Sequence, residues 1–347
     1  MRKFKILCAM LDMSRNAVMK PQKVKEYIDY LSLFGYNALM LYTEDTYEIK
    51  NHPKFGYLRG KYSESELKEI DAYAVEKGIE LIPCIQTLGH LERPIRWPEF
   101  WRISDIDDIL LVDDDETYKL IDDMFCALER CFTSRTVNIG LDEAHRLGRG
   151  KYLDRHGYEN RSEIFLKHLN KVVDIAKKHG FKPLCWGDML FSMNEMRDYY
   201  KPDAVKDFKY KNLVPDNLSL VYWDYYHTDK EFYDKMIEGH RKISDKVWVA
   251  GGVWTWNGFA PFTKAAMSVI RPCVESARDK NVDEIIITVW GNGAECSYYS
   301  GLAALFYAAQ VAQGNENIDD IKKIFYNAVG ISYDRFLDLE LPNCVSE

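Results

Sequence analysis

The chain has 347 residues, 46 Lys and Arg against 54 Asp and Glu, and a formal net charge of −8. With 47% hydrophobic and 29% charged residues it can fill a large core, and no segment stays apolar for the ~20 residues that cross a bilayer. Its scattered basic residues lack the concentrated positive field that nucleic acid or an anionic membrane surface demands, so neither is expected as a partner.

The first run, MRKFKILCAMLDMSR, is interrupted by Asp12 and offers no small-residue cleavage site, so it reads as a β-strand rather than a signal peptide. Short β-rich apolar runs follow at 37–42, 80–86, 136–141, 183–189, 218–225, 247–256 and 284–290, which with 4–11 makes eight. Between them lie stretches of helical period with charged outer faces at 24–35, 64–78, 116–132, 162–180 and 264–281. Gly35, Gly78 and Gly180 sit where helix C-caps belong, just ahead of the next strand. Eight near-continuous apolar strands alternating with helices predict a parallel sheet covered on its outer face, and the count favours a closed (β/α)8 barrel, an α/β fold. A doubly wound nucleotide-binding sheet would want a Gly-rich turn after strand one, where this chain has Leu11-Asp12-Met13-Ser14-Arg15. The barrel is expected over residues 1–315, followed by a helical extension over 316–347 at which a longer polypeptide could have been cut. The eight cysteines form no C-x-x-C pair and several lie in apolar runs, which reads as free thiols in a reducing cytoplasm.

Barrel enzymes carry their chemistry at the C-terminal ends of the strands. Here those ends hold Asp12 and Arg15; Glu44 and Asp45; His90 and Glu92; Asp142, Glu143 and His145; Trp186 and Asp188; Tyr222, Trp223, Asp224 and Tyr225; Trp254 and Trp256; Trp290 and Glu295. Carboxylates beside indoles describe an acidic, aromatic-walled pocket suited to a sugar: ring faces cover its C–H surface, and charged groups take its hydroxyls. A core layer would have no use for carboxylates that must be desolvated. The sharpest signal is Asp142-Glu143 directly after strand four. In a pocket the two repel, at least one pKa should rise, and a proton donor for glycoside hydrolysis results.

Several segments together resemble the barrel of family 20 glycoside hydrolases, the β-N-acetylhexosaminidases. They are C-A-M-L-D-M-S-R on strand one, L-Y-T-E-D after strand two, L-G-H after strand three, G-L-D-E after strand four, W-G-D after strand five, Y-W-D after strand six, and the Trp290 to Glu295 segment. The resemblance spans roughly residues 5 to 296. It implies an exo-acting, retaining enzyme that removes terminal non-reducing β-linked N-acetylglucosamine or N-acetylgalactosamine from an oligosaccharide or glycoconjugate. The substrate's own 2-acetamido oxygen would attack, closing an oxazolinium intermediate. By the same resemblance Glu143 is the general acid and base, Asp142 holds the acetamide N–H, and Tyr222, with Tyr225 as second candidate, donates to the acetamide oxygen. Asp45 and His90 would form a supporting pair behind the acid, and Arg15 would grip ring hydroxyls. Trp186, Trp254, Trp256 and Trp290 would wall the sugar, with Asp188, Asp224 and Glu295 as further polar contacts. No cofactor and no metal is implied, and a homo-oligomer stays open. The I-G-L-D-E run and Glu44 before Asp45 mark a divergent branch, one that enters strand one without the accessory domain many relatives carry.

The residues by themselves leave rivals: a retaining glycosidase with a protein carboxylate nucleophile, a non-catalytic sugar-binding barrel, and a metal hydrolase. The last lacks an H-x-H after strand one and an H-E-x-x-H anywhere.

Overall fold

Each of the eight apolar runs forms a strand in the computed structural model, which describes residues 3–15, 17–193, 198–292 and 296–343. The strands are β1 (Ile6–Asp12), β2 (Ala38–Thr43), β3 (Glu80–Ile85), β4 (Thr136–Asn138), β5 (Lys182–Trp186), β6 (Ser219–Trp223), β7 (Val247–Gly252) and β8 (Glu284–Val289). All neighbours pair in parallel and β1 joins β8, closing the barrel. The closure is weakest at β4, whose pairing with β3 rests on Cys84 and Asn138. Three strands stop three or more residues short of their apolar runs. Chain beyond Asn138, Trp186 and Gly252 leaves the sheet, so Asp142, Glu143, Asp188, Trp254 and Trp256 all lie past the strand ends, Asp188 at the start of a short helix.

Strand alternation sorts side chains into two cores. Cys8, Met10, Met40, Tyr42, Cys84, Trp186, Val221, Trp248 and Ile286 fill the lumen. Their neighbours, such as Leu7, Ala9, Leu39, Leu41, Leu220 and Tyr222, pack outward against the helices. The outer layer comprises α1 (Pro21–Phe34), α2 (Glu64–Glu76), α3 (Asp115–Cys131), α4 (Arg161–Lys178), α5 (Lys230–Ile243), α6 (Thr263–Asp279) and α7 (Leu302–Gln313). Local sequence fixes their ends. Pro21 opens α1, and Ser63 with Glu66 forms a reciprocal capping box at the start of α2. Gly35, Gly78 and Gly180 follow their helices at φ 92°, 72° and 76°, in the left-handed region.

Beyond α7, α8 (Ile318–Val329) and a short helix at Tyr333–Leu337 pack against the outside of the barrel. Phe325 is fully buried there, its ring 6.3 Å from Phe34 of α1 and 5.3 Å from Phe306 of α7. Among the described residues no helix is long and apolar enough to cross a membrane, and seven cysteines are free thiols.

Candidate active site

The loop after β4 is the centre of the site, and its backbone is unusual. Gly140, Leu141 and Glu143 all have positive φ, at 72°, 73° and 53°. For Leu and Glu this region is strained, and it persists only where the surroundings over-determine it. Those surroundings are specific. Asn138 Oδ1 accepts the Gly140 N–H at 2.9 Å, Gln86 Oε1 accepts the Leu141 N–H at 3.3 Å, and Asp188 Oδ2 accepts the Glu143 N–H at 2.9 Å. A Cβ on Gly140 would lie 2.0 Å from Gln86 Oε1, so only glycine lets the loop approach that amide. The winding sends the two adjacent carboxylates to different places. Asp142 is buried, whereas the Glu143 side chain is half exposed.

Asp142 is held from both sides. Gln86 Nε2 donates to its Oδ1 at 2.8 Å and His90 Nε2 donates to its Oδ2 at 3.1 Å. Burial pushes its carboxyl up, but the charge and hydrogen bond of His90, the Gln86 bond and Arg15 together hold it below the ordinary value. The expected rise within the pair therefore does not fall on Asp142. It falls on Asp188, which burial and the neighbouring Asp142 charge push up to about 7. His90 moves to about 9: burial lowers it, and the Asp142 charge with its hydrogen bond outweighs that cost. The His90 Nε2 also lies 3.5 Å from Glu143 Oε2, so one imidazole links both carboxylates.

Arg15 closes the opposite side. Asp12 Oδ2 accepts from its Nη1 at 3.2 Å, Glu44 Oε1 lies 3.5 Å from Nη2, and the guanidinium sits 4.8 Å from the Tyr42 ring centroid and 5.0 Å from that of Trp290. Between these groups lies a pocket of about 170 Å³ lined by Arg15, Asp142, Glu143, Trp186, Trp223, Tyr225, Tyr226, Trp256, Trp290 and Asn292. It adjoins a larger polar cleft of about 1040 Å³ that shares Arg15 and Asn292 and is bordered by His90 and Glu44.

Of the residues singled out by sequence, Asp142, Glu143, Arg15, Trp186, Tyr225, Trp256 and Trp290 thus converge on one pocket, with His90 beside it. Others are placed elsewhere. Tyr222 faces the helices rather than the lumen; its hydroxyl donates to Asp224 Oδ2 at 2.8 Å. Asp224 is fully buried and also accepts from the Tyr226 and His227 N–H groups and from His227 Nδ1, so its oxygens are occupied within its own turn. Asp45 pairs with Arg59 at 2.9 Å rather than with His90, and the carboxylate that flanks Arg15 on that loop is Glu44. Trp254 lies behind the pocket, its Nε1 donating to the Tyr225 carbonyl at 2.6 Å. Asp188 is buried just past the end of β5, where it holds the Glu143 backbone and accepts from Trp223 Nε1 at 3.4 Å. Glu295 lies outside the described residues. Gln86, Trp223, Tyr226 and Asn292 complete the arrangement; Trp223 carried the aromatic strand-end signal, while Gln86 had none.

His90, Asp142 and Glu143 could offer three ligand atoms to a metal ion, as could Asp122, Cys126 and His179 on the outer helices. At the first group His90 is pushed up to about 9, so near neutrality a metal ion would have to displace a proton from the imidazole.

A closed parallel barrel that gathers paired carboxylates and indoles around a one-ring pocket above its strand ends defines a barrel glycoside hydrolase. Residues 4–244 match the catalytic domain of glycosyl hydrolase family 20, and the chain belongs to that family. It is 24% identical to human hexosaminidase D over 338 residues, covering 90% of this chain and 67% of that protein, and 26% identical to the bovine protein over 251 residues, covering 68% and 67%. Among solved structures it resembles the β-N-acetylhexosaminidase of Bacteroides fragilis, with a TM-score of 0.70 at 21% identity over 95% of this chain and 71% of that one. It resembles equally the exo β-N-acetylglucosaminidase of Vibrio harveyi solved with N-acetylglucosamine, with a TM-score of 0.70 at 17% identity; the match covers 99% of this chain and 59% of that one.

Proposed function

We propose that the chain is an exo-acting, retaining β-N-acetylhexosaminidase that removes terminal non-reducing β-linked N-acetylglucosamine or N-acetylgalactosamine by substrate-assisted catalysis. The observation that carries this reading is the buried Asp142 carboxylate, fixed by Gln86 and His90 at the wall of an aromatic pocket, beside the half-exposed Glu143. A retaining enzyme with a protein nucleophile needs two carboxylates flanking the anomeric carbon from opposite sides. Among the described residues lining this pocket the carboxylates are Asp142 and Glu143, neighbours on one loop. That favours a nucleophile brought by the substrate.

In this reading Glu143 protonates the glycosidic oxygen and then takes a proton from water, and His90 Nε2, 3.5 Å away, orients it. Asp142 accepts the acetamide N–H and faces the positive charge that builds on the oxazolinium. Tyr225 takes over the role first assigned to Tyr222, donating to the acetamide oxygen. Trp186, Trp223, Trp256 and Trp290 wall the ring, which keeps a weak amide nucleophile close to the anomeric carbon. Arg15 supplies a planar fork of donors for ring hydroxyls. The free thiols suit a reducing cytoplasm.

The test is hydrolysis of 4-nitrophenyl β-N-acetylglucosaminide and its galacto isomer, set beside the β-glucoside that lacks the 2-acetamido group. The N-acetyl substrates should be cleaved and the glucoside should not, and Glu143→Gln should lower kcat by about 10²–10⁴-fold. Comparable cleavage of the glucoside would overturn the substrate-assisted mechanism.

A further inference from the structure

The cleft of about 1040 Å³ is far larger than the proposed mechanism uses, and its wall has a charge pattern of its own. Arg59, from the loop after β2, and Arg93 and Arg96, around the short helix Glu92–Ile95 after β3, line it together. Arg59 is matched by Asp45. Arg93 and Arg96 are exposed, and among the described residues neither forms an ion pair. Arg96 is nonetheless held in place, its guanidinium 5.0 Å from the Trp97 ring, which packs edge-on against Tyr57 at 5.1 Å.

The acids of the cleft are mostly spoken for. Glu44 faces Arg15 at 3.5 Å, Asp107 pairs with Arg146 at 2.7 Å, and Asp108 accepts the His90 N–H at 2.8 Å. Arg93 and Arg96 are therefore the guanidiniums of the cleft that no carboxylate pairs with among the described residues, which leaves their forks available to an oxyanion. Arg59, Arg96 and Arg93 all act on the buried Asp45 carboxyl, so the three guanidiniums lie near one another.

Position ties this surface to the leaving group. The general acid must stand next to the glycosidic oxygen, so the aglycone departs on the side of Glu143. His90, 3.5 Å from Glu143 Oε2, is itself a wall of the cleft. We infer that the cleft is an aglycone subsite that selects an anionic group, a carboxylate or sulfate on the sugar that follows the scissile bond, through Arg93 and Arg96. Planar guanidinium forks pair such oxyanions in bidentate fashion. This inference rests on the hexosaminidase reading.

It is tested with two disaccharides, an N-acetylhexosamine β-linked to glucuronic acid and the same compound with its carboxylate converted to the primary amide. At low ionic strength kcat/KM should favour the acid by about three- to tenfold, the range for one or two partly exposed ion pairs, and the ratio should fall as salt is added. In Arg93→Gln/Arg96→Gln the acid-to-amide ratio should drop to about one, and in Glu92→Gln it should rise. Each ratio is taken within one protein preparation, so a partly unfolded variant does not distort it. An acid no better than its amide in the unmodified protein, or a preference that survives the double substitution, overturns the subsite. If the 4-nitrophenyl N-acetylhexosaminides are also inert, the activity itself has failed and the subsite goes with it; if they are cleaved, the subsite alone falls.

Discussion

Tyr222 and Tyr225 stand three residues apart at one strand end, yet a strand turns successive side chains to opposite faces. Val221 and Trp223 point into the lumen, so Tyr222 between them must point out, where it packs against Tyr233 and His240. The turn that follows brings Tyr225 back over the pocket, stacked on Trp223 with ring centroids 5.5 Å apart. Counting the alternation from Val221 would have separated the two tyrosines from sequence alone. The burial of Asp224 was not countable, because its oxygens are claimed by N–H groups of its own turn. Two single substitutions distinguish the roles. Tyr225→Phe should lower kcat/KM on N-acetylhexosaminides by about 10²-fold with little change in Tm, as loss of a donor at a developing charge does. Tyr222→Phe should leave kcat near its starting value and cost about 1 kcal/mol of stability, from one buried hydrogen bond. Steady-state rates and melting curves measured together decide it, and the reverse pattern would return Tyr222 to the site.

At the scale of elements, the barrel was legible because it depends on patterns that a chain carries openly. Near-continuous apolar runs mark strands buried on both faces, and Gly35, Gly78 and Gly180 mark helix ends. The aim of the loops that carry the candidate site was not legible, since it depends on positive φ at His90, Leu141 and Glu143, a conformation uncommon for any residue but glycine. Which of Glu44 and Asp45 flanks Arg15 depends likewise on the loop's path, and that path seats Asp45 against Arg59. The loop after β4 is therefore the element whose geometry matters most for the proposed chemistry. Gly140 and Gly78 share a φ of 72°, but a Cβ at Gly78 meets nothing within 4 Å, while at Gly140 it meets Gln86 Oε1 at 2.0 Å and the Ile85 carbonyl at 2.9 Å. Gly78→Ala should cost about 1–2 kcal/mol, the price of the left-handed backbone, and spare activity. Gly140→Ala should cost more and should displace Gln86, which holds both Asp142 and the Leu141 N–H. Its kcat should therefore fall well beyond what the loss of folded protein explains. Equal effects of the two substitutions on kcat would show that the Gln86 contact does not tune the site.

For the whole molecule, a site rich in shifted groups makes stability depend on pH with a definite sign. Asp188 is raised from 3.8 to about 7, so its contribution is fully present below the unfolded value and is lost as pH rises through about 7. His90 is raised from 6.5 to about 9, and its contribution is likewise complete below 6.5 and lost as pH climbs through about 9. Asp142 works in the opposite sense: its folded value is depressed, so its contribution is present above the ordinary value and disappears in acid. Together they predict that the folded state is firmest in mild acid and weakens from about pH 4 to pH 9, first through Asp188 and then through His90. The proposed mechanism asks the reverse, because it needs Asp142 ionised to hold an acetamide N–H, and protonated His90 set against that carboxylate serves both demands. Asp188→Asn keeps an oxygen for the Glu143 N–H and removes the buried charge. It should stabilise the fold at pH 8 by an amount on the order of 1–2 kcal/mol, seen as a higher Tm, and flatten the fall between about pH 4 and 7, leaving the later fall through His90 in place. Melting curves in steps of half a pH unit test this, and a variant whose Tm declines in parallel with that of the unmodified protein across the whole range would remove Asp188 from the account.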